Sequence, residues 1–91
     1  MNTPLNVVML EDRVTDAELN VLELRRAGFD LRWSRAATEA EFVALLASPP
    51  DIILADFQLP HFDGLSATRL AQARLPEVPV IIISGELGDE T

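Results

Sequence analysis

Ile52-Ile53-Leu54-Ala55-Asp56 is a short apolar run that stops on a carboxylate. Runs of this kind, rich in aliphatic residues and followed by turn signals, read as strands buried on both faces of a parallel sheet. The same pattern stands earlier in the chain, where Val7-Val8-Met9-Leu10 passes directly into Glu11-Asp12. Acids placed where such strands end lie at the carboxyl edge of the sheet, where open α/β sheets carry their ligand sites. If the two strands are neighbours, Glu11, Asp12 and Asp56 meet in one pocket. At ~5 Å and an effective dielectric of ~20, each pair of charges repels by about 3 kcal/mol. A proton or a cation relieves such a cluster, and a hard divalent cation is the natural candidate.

The segments around these runs supply the rest of an alternating pattern. Leu5 to Leu10 is the first strand. Thr15-Asp16-Ala17-Glu18 matches a capping box, with Thr15 as the expected N-cap. The helix behind it carries Ala17, Val21 and Leu24 on one face, gathers Arg25 and Arg26 in its last turn and stops at Gly28. Phe29, Leu31 and Trp33 then alternate with Asp30, Arg32 and Ser34, the signature of a half-exposed edge strand. A second capping box at Thr38-Glu39-Ala40-Glu41 opens a helix through Leu46, and Pro49-Pro50 ends it. Asp51 to Asp56 is the third strand, and a loop from Phe57 to Asp63 leads past Gly64 into a helix over Leu65–Arg74. Pro76 and Pro79 bracket the turn into a fourth strand, Val80 to Ser84. The order β-α-β-α-β-α-β predicts right-handed crossovers and a doubly wound parallel sheet covered on both faces.

Composition narrows the function. Ninety-one residues, 48% of them hydrophobic, correspond to one small globular domain. No apolar run reaches membrane-spanning length, and the amino terminus lacks the basic start and apolar core of a signal peptide. With no cysteine, disulfides and thiolate metal sites are excluded, and the default setting is the cytoplasm. A net charge of −8 argues against direct contact with nucleic acid. All seven basic residues are arginines.

Three motifs in this order give the chain a family resemblance: Leu10-Glu11-Asp12 after the first strand, Asp56-Phe57-Gln58-Leu59-Pro60-His61-Phe62-Asp63-Gly64 after the third, and Ser84-Gly85 after the fourth. The sequence resembles a response regulator receiver domain of two-component signalling, with the Asp-x-x-Leu-Pro-x-x-Asp-Gly stretch the most specific piece. The resemblance implies a flavodoxin-like α/β fold with strand order 2-1-3-4 for the strands present. It implies that Asp56 accepts a phosphoryl group from a partner histidine kinase or phosphotransfer protein. It further implies Mg2+ held by Glu11, Asp12, Asp56 and the backbone carbonyl of Gln58, with Ser84 as the hydroxyl that responds to phosphorylation. On this reading the chain is a signalling domain rather than an enzyme with a substrate of its own.

Each assignment has a plainer alternative. Any one of the acids could be a solvated turn residue, Ser84-Gly85 an ordinary strand exit, and His61 a solvated loop histidine. Trp33 reads as packing on an edge strand. Asp63 and Gly64 read as shaping a turn and a helix start, and Leu59-Pro60 as stiffening the loop. Arg13 stands where the resemblance leads one to expect a third acid; it could weaken cation binding or pair with a neighbouring carboxylate.

The resemblance also implies a fifth strand, further helices and a phosphate-binding lysine, none of which the 91 residues contain. Residues 1–91 are therefore expected to form a single, partial receiver domain. Strand 80–84 is expected at the sheet edge, beside an uncovered sheet face, and self-association through either is the corresponding expectation. A chain acting only as a protein-interaction or assembly module is the alternative function. A flavin carrier of similar fold is disfavoured because no glycine-rich phosphate loop follows the first strand.

Overall fold

A computed structural model describes residues 3–56 and 62–83. Its elements follow the predicted order: β1 (Thr3–Leu10), α1 (Val14–Arg26), β2 (Phe29–Ala36), α2 (Glu39–Leu45), β3 (Ile52–Asp56), α3 (Gly64–Arg74) and β4 (Val80–Ile83). The four strands form one parallel sheet in the order β2-β1-β3-β4. Register sets the site: Leu10 lies opposite both Ala36 and Ala55, so the residues after Leu10 emerge level with Asp56.

Strand pleating sends alternate side chains to two separate cores. Val7, Met9, Leu31 and Leu54 pack with Ala17 and Val21 of α1. Val8, Leu10, Ile53 and Ala55 face the other way and pack with Phe42, Leu46, Phe62, Ala67 and Ala71. The continuous apolar composition of β1 and β3 is thus explained by burial on both faces. Alanines at the contact of β3 with α3 let the helix lie close, and the Phe42 and Phe62 rings meet tilted at 54°, 5.7 Å between centroids. β2 is an outer strand with Leu31 buried and Asp30, Arg32 and Ser34 exposed, as its alternation predicts.

The helix ends show where local signals held and where they did not. α1 ends as expected: Gly28 takes φ 101°, and its N–H donates to the carbonyl of Arg25 at 3.0 Å. At its start the expected Thr15 cap is not used. The helix begins at Val14 with Arg13 as N-cap and no side-chain cap bond. The cause lies in Glu11, whose Oε2 takes the Arg13 N–H at 3.0 Å and draws the chain into the helix two residues early. In α2 the Thr38 hydroxyl accepts the Glu41 N–H at 3.2 Å, but Glu41 reaches back to the Ala37 N–H at 2.8 Å rather than to Thr38 itself. Asp63 caps α3 by accepting the Ser66 N–H at 2.7 Å, the helix-starting role its sequence position suggested.

β4 lies outermost among the described strands, with Ile81 and Ile82 exposed. No described helix is long and apolar enough to cross a membrane.

Candidate functional site

Where β1 and β3 end, Glu11, Asp12 and Asp56 come together, each offering a carboxylate oxygen within 4.8 Å of the others. The three differ in environment. Glu11 is buried, Asp56 is half-buried and Asp12 is exposed. Glu11 is the one buried charged residue among those described, at 7% exposure. Burial pushes its carboxyl up to about 7, against the downward pull of the Arg13 N–H; hydrogen bonding with Asp12 and the charge and hydrogen bonding of Asp56 push the same way as burial. Glu11 therefore keeps its proton to higher pH than an ordinary carboxylate in the absence of another cation.

The main chain of Glu11 is held by β2 at both its N–H and its carbonyl. Its N–H donates to the Ala36 carbonyl at 2.9 Å, and its own carbonyl accepts Arg35 Nη1 at 3.0 Å. Together with the Arg13 N–H on Oε2, this fixes the residue that leads into Asp12. Glu11 and Asp56 open onto a cleft of ≈ 330 Å³ whose walls include Arg13, Asp16, Leu19, Asn20 and Ile83.

All three side-chain donors are carboxylate oxygens, the set that suits a small hard cation. A divalent ion there would displace the Glu11 proton and offset the mutual repulsion. The donor chemistry therefore fits a hard divalent cation such as magnesium.

Of the residues singled out in the sequence, the structure gathers Glu11, Asp12 and Asp56. Gln58, Leu59, Pro60 and His61 lie outside the described residues, as do Ser84 and Gly85. Trp33 is half-buried beside Val7 and Leu31, away from the acids. Arg13 lines the cleft. Sequence reading missed Arg35, because nothing local marks an arginine that reaches across to the neighbouring strand. The pairing of Met9 with Arg35 would have revealed it.

The sequence profile of the response regulator receiver domain matches residues 7–91. The chain belongs to that family. Among relatives, this receiver sequence is 34% identical over 80 residues to protein-glutamate methylesterase/protein-glutamine glutaminase 1 of Cupriavidus pinatubonensis, covering 82% of the chain and 23% of the relative. It is 38% identical over 65 residues to the DNA-binding transcriptional regulator NtrC of Escherichia coli, covering 70% of the chain and 14% of that protein. It thus spans a quarter or less of these relatives, whose enzymatic and DNA-binding names describe much longer proteins. Among solved structures, the PhyR receiver domain of Erythrobacter litoralis superimposes with a TM-score of 0.77 at 28% identity, covering 92% of this chain and 65% of that one. The receiver domain of the sensor histidine kinase PA1611 of Pseudomonas aeruginosa, solved with magnesium in its active-site cleft, gives 0.73 at 29% identity, covering 97% and 75%. The protein is accordingly a signalling domain of two-component systems, a family whose members interact with histidine kinases or phosphotransfer proteins.

Proposed function

We propose that residues 1–91 act as one receiver unit in which Asp56 accepts a phosphoryl group from a phosphohistidine of a partner kinase or phosphotransfer protein. The observation that carries this reading is the convergence of Glu11, Asp12 and Asp56 within 4.8 Å at the carboxyl edge of the sheet. Asp56 is the half-buried member, on the wall of an open cleft, so an incoming phosphorus centre can approach it. A carboxylate oxygen of Asp56 attacks phosphorus; the P–O bond forms as the P–N bond breaks, and the imidazole nitrogen departs with the electron pair.

Glu11, Asp12 and Asp56 would hold magnesium, with the backbone carbonyl of Gln58 as a further ligand. When bound, the ion neutralises charge on the phosphoryl oxygens. The chain's own residues do the rest. Backbone bonds to Glu11 fix the acid pair, and β3 presents Asp56 at a set height. Ser84, outside the described residues, is assigned the hydroxyl that meets the phosphoryl group.

Incubation with magnesium and a small-molecule phosphodonor, followed by intact-mass measurement, tests this. One phosphoryl group should be gained by the wild type and none by Asp56→Asn. Equal gain in both would refute the assignment. A second reading, a protein-interaction module that assembles through β4, is favoured by the exposure of Ile81 and Ile82 on an outer strand. A concentration-independent monomer in sedimentation would exclude it.

A further inference from the structure

Arg35 sits near the end of β2, opposite Met9 in register. Its guanidinium Nη1 donates, at 3.0 Å, to the main-chain carbonyl of Glu11, in a partly buried contact that spans 24 residues of sequence. β1 ends at Leu10, so this peptide lies beyond the last residue of the strand. The Glu11 N–H, in the preceding peptide, is taken by the Ala36 carbonyl and the Glu11 carbonyl by Arg35, while Glu11 Oε2 is tied to the Arg13 N–H. Of these three tethers, Arg35 is the only donor that is a side chain. It is also attached to the peptide bond that joins Glu11 to Asp12.

Rotation of that peptide would move both side chains relative to Asp56, because Glu11 and Asp12 are its two flanking residues. We infer that Arg35 is a positioning residue: by clamping the Glu11 carbonyl to β2, it sets the angle at which Glu11 and Asp12 face Asp56. The inference rests on the magnesium-dependent reading above and deepens it. Hydrogen bonds from charged donors are among the strong ones, and a fixed ligand set loses less freedom when an ion is bound.

The sign of the effect separates this role from simple electrostatics. A positive charge close to a cation site opposes cation binding, so by charge alone Arg35→Ala should bind magnesium more tightly. Positioning predicts the reverse. Magnesium titration by calorimetry should give about tenfold weaker binding in Arg35→Ala, the loss of one charged hydrogen bond. Arg35→Lys, which keeps a charged donor, should recover most of the affinity. Leu70→Ala, a partly buried packing change on α3, should lower the unfolding temperature while leaving magnesium affinity unmoved. In the metal-free protein, the Asp12 amide resonance should shift in Arg35→Ala and stay in Leu70→Ala, since its peptide carbonyl is the acceptor. Should Arg35→Ala not fold, Arg35→Gln provides the same comparison.

Equal or tighter binding in folded Arg35→Ala or Arg35→Gln, or an unmoved Asp12 resonance in Arg35→Ala, would overturn the inference while leaving the function intact. A wild-type protein that takes no magnesium would overturn the inference together with the reading beneath it.

Discussion

Replacing Glu11 by Gln should stabilise the metal-free protein, and by an amount that grows with pH. Glu11 is 7% exposed, with its carboxyl raised from 4.5 to about 7 by burial and by its acidic neighbours. The folded state therefore holds a proton that the unfolded chain releases at lower pH. The associated stability is fully present below about pH 4.5 and is lost as pH rises through about 7. Over that span the wild type should lose about 3 kcal/mol relative to a variant with no proton to release. Glutamine has nearly the same shape. Its amide oxygen can still take the Arg13 N–H, and its amide nitrogen can donate to Asp56 in place of the lost proton. For a domain of this size the widening gap corresponds to roughly 10–20 °C in unfolding temperature. Urea denaturation in chelator at several pH values between about 4.5 and 8, for both proteins, measures the difference; acids remote from Glu11 cancel. Curves that run parallel, or a glutamine variant that is the weaker at pH 8, would refute the reasoning about Glu11.

The same proton governs the approach of a cation. Magnesium affinity should rise with pH up to about 7, with close to one proton released per ion bound, and level off above it; affinity flat from pH 5 to 8 would contradict this. Gly28→Ala should destabilise by about 1 kcal/mol, read by urea titration. A methyl there meets nothing within 4 Å, so the cost comes from the φ of 101° alone and not from a clash. Asp63→Ala should also destabilise. The Ser66 N–H bond lowers the Asp63 carboxyl below its ordinary value, so its stabilisation is present above about pH 4 and fades as pH falls through the lowered value. A deficit undiminished by acid would speak against the cap.

The parts of this protein that were legible in its sequence are those set by short-range pattern. The apolar runs ending at Leu10 and Asp56 announced buried strands because both faces of a parallel sheet are covered. Alternation from Phe29 to Ser34 announced the outer strand because one face of β2 is half wet. Convergence of the three acids followed once those two strands were taken as neighbours. What escaped the sequence depends on register and on three-dimensional surroundings. Thr15 had the right spacing for a cap, yet the Glu11 carboxylate began the helix earlier by holding Arg13. Phe62 looked like part of a motif loop, but it is buried against Phe42 and anchors the chain just ahead of α3. The deep burial of Glu11 relative to Asp12 has no local signature, since both are acids standing side by side after the same apolar run. Arg35 is legible only when β2 is laid beside β1 in the observed register.

Titration of the wild type, Asp12→Ala and Asp56→Ala with magnesium tests the shared-cation site most directly. The wild type should bind one ion per chain saturably, and both variants should lose that binding, since each removes one of the three converging carboxylates. Wild-type protein that binds no magnesium, or variants that bind it unchanged, would contradict that site.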